Sequence, residues 1–240
     1  MVSDLRRFSG FVLFALIALA TTHADAQRAP ALSADRPDSQ TLSVQRKVEQ
    51  LYERGEFGRA YFIYRNELVP IGDKYAQYMI GYMHLMGTGA DEDAVAASAW
   101  YRLAAERGTP EFVAVRNQLM HDLSADERRR SDEQYLQLRR QFSDLVVLLE
   151  DIKRKHRDLQ PATGSRLTAR SSPIRVIETN TSNPKSLGLD YYGSIRADLR
   201  GRLILLSKLG NFPDLETDPS RVKISELERL VEQRIETIPD

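Results

Sequence analysis

Residues 76–108 contain two helix-forming runs separated by a glycine-rich turn, and this pattern limits the possible folds more than any other feature of the chain. Apolar side chains recur with helical spacing through the first run, at Tyr75, Tyr78, Met79, Tyr82, Met83 and Met86. Gly87 and Gly89 end this run, because glycine is favoured where the residue past a helix adopts a positive φ. Asp93 is expected to cap the second run by accepting hydrogen bonds from the N–H groups of its first turn, and Gly108 ends that run. The pattern predicts one helical hairpin.

The hairpin has small residues where two helices must approach and bulky residues where a core must be filled. Gly81 lies inside the first helix, where glycine costs about 1 kcal/mol relative to alanine, so close packing of the neighbouring helix is the expected reason for it. The second helix is rich in alanine, at Ala96, Ala97, Ala99, Ala104 and Ala105. Trp100 and Tyr101 supply the bulk, and we interpret Trp100 as a core residue, not as part of a ligand site.

These residues resemble a Sel1-like repeat, a relative of the tetratricopeptide repeat. The positions that carry the resemblance are Gly81, Gly87, Gly89, Asp93, Ala97, Trp100, Tyr101, Ala104, Ala105 and Gly108. The resemblance implies an antiparallel α-hairpin that stacks on other hairpins in a right-handed array. It also implies an interaction or adaptor role, with the partner held by exposed residues of the stacked face.

The chain departs from the family in its number of clear units, because arrays of this kind usually need about three to bury their core. Residues 44–68 predict a second, degenerate hairpin with its turn at Gly55. Thr109 and Pro110 predict the start of one further helix, with Thr109 as its cap and Pro110 at its first position. Residues 43–123 are therefore expected to form two hairpins and a capping helix.

The N-terminal residues have the basic start, short apolar run and small-residue site of a secretory signal peptide. These parts are Arg6 and Arg7, residues 11–20, and Ala24-Asp25-Ala26. The apolar run is about half of the ~20 residues that cross a bilayer as a helix, so we expect cleavage after Ala26; an uncleaved anchor is the alternative. Residues 1–26 are thus interpreted as the signal peptide and 27–42 as a disordered lead-in. We expect a periplasmic bacterial protein that is not stably inserted in a membrane after cleavage.

Composition argues against several classes of function. The chain has 34 basic and 34 acidic residues, and a net charge of zero argues against an electrostatic drive toward nucleic acid. It has no cysteine, which excludes disulfides and a cysteine nucleophile. Its four histidines form no i, i+4 pair and no zinc-binding motif. We therefore predict no metal, no cofactor and no catalytic residue.

The C-terminal half is expected to be helical as well. Ser124 and Glu127 form a capping-box pattern at the start of a long helix over residues 124–160. Its apolar residues follow a heptad period, at Tyr135, Leu138, Phe142, Leu145, Leu149, Ile152, His156 and Leu159. The apolar stripe widens around Leu145–Leu149, which favours internal packing against the later helices, while dimerisation as a coiled coil is the alternative.

Two further segments complete the chain. Residues 161–188 form a linker rich in proline, glycine and polar residues, in which only Ile174–Ile177 is expected to be extended. Residues 189–240 predict two helices, the first ending at Gly210 and the second starting with a capping-box pattern at Ser225. The predicted fold class is all-α, with a short hairpin array followed by a long helix and two packing helices.

Acidic and basic runs provide the remaining candidate sites. The pairs Glu150–Asp151 and Asp126–Glu127 could act as acid and base in an enzyme that cleaves envelope polymer, but they lie on highly charged helices, where a solvated face is the usual explanation. The basic run Arg128–Arg130 is interpreted as helix surface. The sequence favours a non-catalytic adaptor that holds a protein or a peptide. An enzyme acting on peptidoglycan and a structural coiled-coil homodimer are the alternatives.

Overall fold

A computed structural model of the protein describes residues 39–159, 175–176 and 186–237, so the expected signal peptide lies outside the described residues. Contacts divide the chain into two compact units, with the main boundary between Tyr135 and Leu136. The described residues confirm the predicted all-α class, since their only strands are one pair of two-residue segments. No helix among them combines the length and the hydropathy that a membrane crossing requires.

The first unit is a row of helical pairs. Its helices are α1 (Ser39–Glu53), α2 (Phe57–Ile63), α3 (Lys74–Met86), α4 (Ala94–Ala104), α5 (Pro110–Asp122) and the first part of α6 (Ala125–Phe142). A π-helical turn, Tyr64–Leu68, and a 3-10 turn, Val69–Ile71, continue α2, and a 3-10 turn, Ala105–Arg107, continues α4. Helix α1 occupies residues 39–42, which were expected to belong to a disordered lead-in.

A third helical pair stacks on the second, where the sequence predicted only a capping helix. The Tyr78 ring of α3 stacks on the Phe112 ring of α5, with centroids 4.8 Å apart. On the other side, the Ser131 hydroxyl of α6 donates to the Ser98 hydroxyl of α4 at 3.2 Å. The start of α6 therefore belongs to the hairpin array, and the expected domain boundary at 123/124 moves into the middle of this helix.

Two predicted features of the first unit differ in detail. Thr109 occupies the N-cap position of α5, but its side chain makes no capping hydrogen bond. Helix α3 is buried on more than the predicted apolar face, because it packs between neighbouring pairs. Its buried residues include Lys74, Gln77 and Ile80, whereas Met86 is 47% exposed.

The second unit is a helical bundle formed by the end of α6 together with α7 (Asp144–Asp158), α8 (Gly188–Gly210) and α9 (Ile224–Glu236). Its apolar core contains Leu145, Leu148, Leu149, Ile152, Leu199, Leu203, Leu206, Val222, Leu227, Val231 and Ile235. The widened stripe at Leu145–Leu149 thus packs against the later helices of its own chain, as favoured from the sequence. Two short strands, β1 (Arg175–Val176) and β2 (Ser186–Leu187), pair antiparallel inside the expected linker.

The long helix expected over residues 124–160 is divided at Ser143. This residue has an extended backbone, with φ −62° and ψ 155°, and its hydroxyl accepts from the N–H of Val146 at 3.4 Å. Serine is a favoured N-cap, so it starts α7 as a separate helix. The capping box at Ser124 forms as predicted, because the Glu127 carboxylate accepts from the Ser124 N–H at 2.9 Å.

The ends of α8 and α9 lie close to their predicted positions, but different residues form them. Asn211 adopts the left-handed conformation after α8, with φ 54°, so Gly210 is the last helical residue and Asn211 provides the stop. Gly210 is required for another reason, since a Cβ there would overlap the Phe212 ring. Lys223 occupies the N-cap position of α9, so Ser225 is a helical residue and the predicted capping box does not form there.

Candidate interaction surface

The loop between α3 and α4 has its shape because of the glycines and the aspartate singled out in the sequence. Gly87 and Gly89 adopt left-handed conformations, with φ 64° and 78°. The Asp93 carboxylate accepts from the N–H groups of Val95 at 2.8 Å and Ala96 at 3.0 Å, which caps α4. Gly108 has φ 70° and ends the 3-10 turn that follows α4. These residues determine where two helices begin and end.

The other residues of the repeat pattern lie in the interior of the first unit. A Cβ on Gly81 would lie 3.2 Å from the Tyr101 ring, so the glycine permits close approach of α3 and α4. The buried members of the set are Ala97, Trp100, Tyr101, Ala104 and Ala105. Trp100 is only 4% exposed, and the Arg65 guanidinium lies 5.2 Å from its ring centroid. Binding residues must therefore come from neighbouring positions outside this pattern.

Two side-chain contacts join α1 to α3 and show that the two helices run in the same direction. Near their starts, the Gln45 amide donates to the Asp73 carboxylate at 2.7 Å. Near the end of α1, a hydrogen bond joins the hydroxyls of Tyr52 and Tyr82. Asp73 also caps α3 by accepting from the Ala76 N–H at 3.0 Å, so its carboxylate orients both helices.

This register produces a surface lined by three partly exposed tyrosines, Tyr52, Tyr75 and Tyr82, which we name the tyrosine face. Tyr75 and Tyr82 are seven residues apart on α3 and therefore share one side of that helix. Buried rings support the face from behind: Tyr78 packs edge-on against Tyr101 with centroids 5.0 Å apart. The face is thus built from two helices, and the buried rings of Tyr78 and Tyr101 lie next to it.

The hydroxyl groups of Tyr52, Tyr78 and Tyr101 have raised pKa values. Burial raises the pKa of Tyr101 well above its ordinary value, and the hydroxyls of neighbouring tyrosines add to the effect. Burial also raises the pKa of Tyr52, with a further contribution from Tyr82. Burial raises the pKa of Tyr78, while the hydrogen bond from Tyr101 acts in the opposite direction. The hydroxyls of these three tyrosines therefore stay protonated at physiological pH and can donate or accept a hydrogen bond.

A second set of contacts joins the first helical pair to the second, away from α1. The Tyr61 hydroxyl lies 3.2 Å from His84 Nε2, and His84 Nδ1 lies 3.2 Å from the Asp91 carbonyl oxygen. Because a carbonyl only accepts, Nδ1 carries the proton and Tyr61 donates to Nε2. His84 therefore holds the α3–α4 loop against the first pair. These contacts are structural.

The acidic pairs considered as catalytic groups are engaged in ion pairs or, for Glu127, in a capping box. Asp151 pairs with the buried guanidinium of Arg202, and Glu150 pairs with Lys153 at 2.9 Å. Glu127 forms the capping box with Ser124, and Asp126 pairs with Arg129. Within the described residues, no three histidine, aspartate or glutamate side chains come together as metal ligands would.

The second unit contains a shallow pocket of about 360 Å³ beside the start of α9. Its lining includes Leu215, Val222 and Leu227 with the charged side chains of Glu216 and Arg221. Glu216 and Arg221 pair with each other at 3.2 Å, and Lys223 and Glu226 complete a lining with two acidic and two basic residues and no net charge. The tyrosine face is therefore the stronger candidate for a binding site.

Sequence reasoning identified the ring positions of the tyrosine face but not the surface that they form. Tyr75 and Tyr82 were expected on one apolar side of a helix, and Tyr52 on another helix. The sequence carries one signal for this surface: Gln45, Glu49 and Tyr52 lie at positions i, i+4 and i+7 and therefore share one side of α1.

No protein-family model matches the chain. Searches of curated proteins and of solved structures likewise find no significant match.

Proposed function

We propose that this chain is a non-catalytic adaptor that holds another protein or a peptide on its tyrosine face. The observation that carries the proposal is the partly exposed set of Tyr52, Tyr75 and Tyr82 beside buried aromatic residues. Tyrosine is enriched at binding surfaces because it offers a large apolar ring, one hydrogen-bonding group and little side-chain entropy to lose. The resemblance of residues 76–108 to a Sel1-like repeat agrees with this role.

The proposal places the adaptor in the bacterial periplasm, after removal of residues 1–26. The support for this location is the composition of the N-terminal sequence. Self-association through the apolar stripe of residues 124–160 is not part of the proposal, because Leu145, Leu149 and Ile152 are buried against α8 and α9.

A photo-crosslinking amino acid placed at Tyr75 tests the proposal in living cells. The matched control carries the same amino acid at Glu67, which is exposed on the π-helical turn of the first pair. We expect a discrete crosslinked product from position 75 and none from position 67. The product should weaken when Tyr82→Ala is added, provided that the variant keeps its thermal unfolding temperature. Equal crosslinking from both positions, or none from either, would contradict an adaptor role for the tyrosine face.

A further inference from the structure

The side of α8 that points away from the core carries two neighbouring rows of residues. The inward side is fixed by Leu199, Leu203 and Leu206, which are fully buried in the second unit. Residues spaced four apart share one face of a helix. The first row is exposed and consists of Arg196, Arg200, Ile204 and Lys208. The second row consists of Gly193, Ala197, Gly201, Leu205 and Leu209, of which only Leu205 is partly buried. We name the two rows together the α8 outer face.

The charges on the α8 outer face are all positive. Asp198 is turned toward α7, where its carboxylate lies 2.5 Å from Lys155 Nζ. Arg200 lies near the Asp218 carboxylate, which hydrogen bonds from Ser220 also hold in its loop. Among the described residues, no ion pair engages Arg196 or Lys208. Positive charge therefore extends over about 18 Å of helix, from Arg196 to Lys208.

The second row contains glycines that the internal packing of the protein does not require. A Cβ on Gly193 or on Gly201 would meet nothing within 4 Å. Glycine inside a helix is less stable than alanine, so these two positions reduce helix stability without serving a contact in the core. Ile204 is 40% exposed and Leu209 is 42% exposed. The face thus combines a low backbone surface with two accessible aliphatic side chains.

We propose that the α8 outer face binds the surface of a membrane that contains anionic phospholipids. Arg196, Arg200 and Lys208 contact the lipid phosphate groups. Ile204 and Leu209 enter the boundary between the headgroups and the acyl chains, while the helix lies parallel to the surface and does not cross it. The inference goes beyond the adaptor function and is independent of it, because it uses residues of the second unit alone.

Two kinds of anionic partner can be compared at this face. The three basic residues leave one side of one helix, so they can reach a single plane of phosphates at the same time. Basic residues beside exposed aliphatic ones are typical of helices that lie in the membrane interface. A polypeptide partner is usually held by aromatic anchors in well-packed pockets, and no residue of the α8 outer face is aromatic. The face therefore favours a lipid surface over an acidic polypeptide.

Sedimentation with lipid vesicles tests the inference. The protein is prepared from Gln27 onward, because the apolar run of residues 11–20 could itself enter lipid. Vesicles of phosphatidylcholine alone are compared with vesicles of equal parts phosphatidylcholine and phosphatidylglycerol. We expect binding to the mixed vesicles only, and this binding should decrease as salt is added. Each basic residue near an anionic surface contributes about fivefold, so Arg196→Gln/Lys208→Gln should weaken binding about 25-fold.

The matched control is Arg229→Gln/Arg234→Gln, which removes the same charge from exposed positions of α9 and should leave binding unchanged. Ile204→Gln should also weaken binding, because it replaces an aliphatic side chain that enters the lipid. Absence of binding to the mixed vesicles would overturn the inference, as would equal losses in the two charge variants or no loss with Ile204→Gln. Binding of poly-L-glutamate that mixed vesicles fail to displace would assign the face to an acidic polypeptide instead.

Discussion

Gly89 lies directly against the backbone of Phe57, so that a Cβ on this glycine would stand 2.6 Å from the Phe57 carbonyl oxygen. The contact joins the α3–α4 loop to the start of α2, and it therefore fixes the second helical pair on the first. Gly89 also has φ 78°, a conformation that disfavours any side chain. Two separate physical reasons thus require glycine at this position.

Alanine substitutions at three glycines should separate the cost of a left-handed backbone from the cost of the Phe57 contact. Gly55 has φ 76° but nothing within 4 Å, so Gly55→Ala should cost only about 1 kcal/mol of unfolding free energy, from backbone strain. Gly89→Ala should cost clearly more, roughly 3 kcal/mol, because backbone atoms must also move. Gly58 lies in α2 with open space around it, and Gly58→Ala should stabilise by about 0.5 kcal/mol. Urea unfolding measures all three, and equal costs for Gly55→Ala and Gly89→Ala would refute the role of the Phe57 contact.

The buried ion pair between Lys74 and Glu106 should be sensitive to loss of one partner. Lys74 Nζ also lies 3.1 Å from the Gln77 side-chain oxygen, so the ammonium group has polar partners although the side chain is buried. Glu106→Gln leaves the buried ammonium without its counter-charge and should destabilise the first unit by roughly 3 kcal/mol. Lys74→Met combined with Glu106→Gln should recover most of this loss, because no buried charge remains.

Thermal unfolding of the single and double variants checks this prediction. Arg59, whose guanidinium pairs with Glu56 at the exposed start of α2, serves as the control for a surface ion pair. Arg59→Gln should change stability by less than about 0.5 kcal/mol, since exposed pairs contribute little. A double variant that is less stable than Glu106→Gln alone would contradict the argument.

Alkaline titration should distinguish four tyrosines with raised pKa values from the rest of the ten in the chain. Tyr52, Tyr61, Tyr78 and Tyr101 all have pKa values raised chiefly by burial. In the unfolded chain these groups lose their protons near pH 10, while the folded protein retains them. The unfolded state then binds fewer protons, so folding stability is complete below about pH 10 and falls as pH rises through the folded values.

The absorbance of ionised tyrosine, followed together with circular dichroism, measures this behaviour. We expect Tyr52, Tyr61, Tyr78 and Tyr101 to ionise together with alkaline unfolding, above the pH of about 10 at which an unperturbed tyrosine titrates. Tyr101→Phe should reduce the amplitude of that late phase. A single titration of all tyrosines near pH 10, with the helical signal intact, would show that the cluster is accessible to solvent.

The capping box at the start of α6 should give a small dependence on acid pH. Hydrogen bonds from the Ser124 side chain and backbone lower the pKa of Glu127 in the folded state. Its stabilisation is therefore present above the unfolded glutamate value of about 4.3 and is lost as pH falls through the folded pKa. Because the group is exposed, the effect should be only a few tenths of a kcal/mol.

The variant Glu127→Gln is the matched control for this pH dependence. Glu127→Gln can keep the capping geometry but cannot titrate, so its stability should vary less with pH between about 3 and 6 than that of the parent protein. Urea unfolding across this range measures the difference. Identical pH profiles for the two proteins would show that Glu127 does not contribute through its charge.

The local pattern was sufficient to predict the second helical pair, because the residues that end its helices act through the backbone next to them. Asp93 caps α4 through the two N–H groups that follow it closely in sequence. Gly87 and Gly108 adopt the left-handed conformations expected after a helix. The N-cap at Ser143 was missed although it is equally local, because a heptad pattern continues across it and no glycine or proline marks the break.

The packing of α6 on the second pair could not be recognised from the sequence, because it is made through polar and charged side chains. The start of α6 meets α4 through the Ser131 and Ser98 hydroxyls, and through Asp132 and Arg102, whose atoms lie 2.6 Å apart. Such residues resemble a solvated helix surface until their partners are known. These positions show no apolar periodicity, so the pattern could not predict this packing.

The helical class, the hairpin of residues 76–108 and the residues that end its helices could be predicted from the sequence, since these depend on spacing, capping and backbone conformation within a few residues. The tertiary structure alone showed that Tyr52 lies beside Tyr82. The tyrosine face depends on the register of α1 against α3, and that register follows from contacts between residues far apart in the chain, such as Gln45 with Asp73.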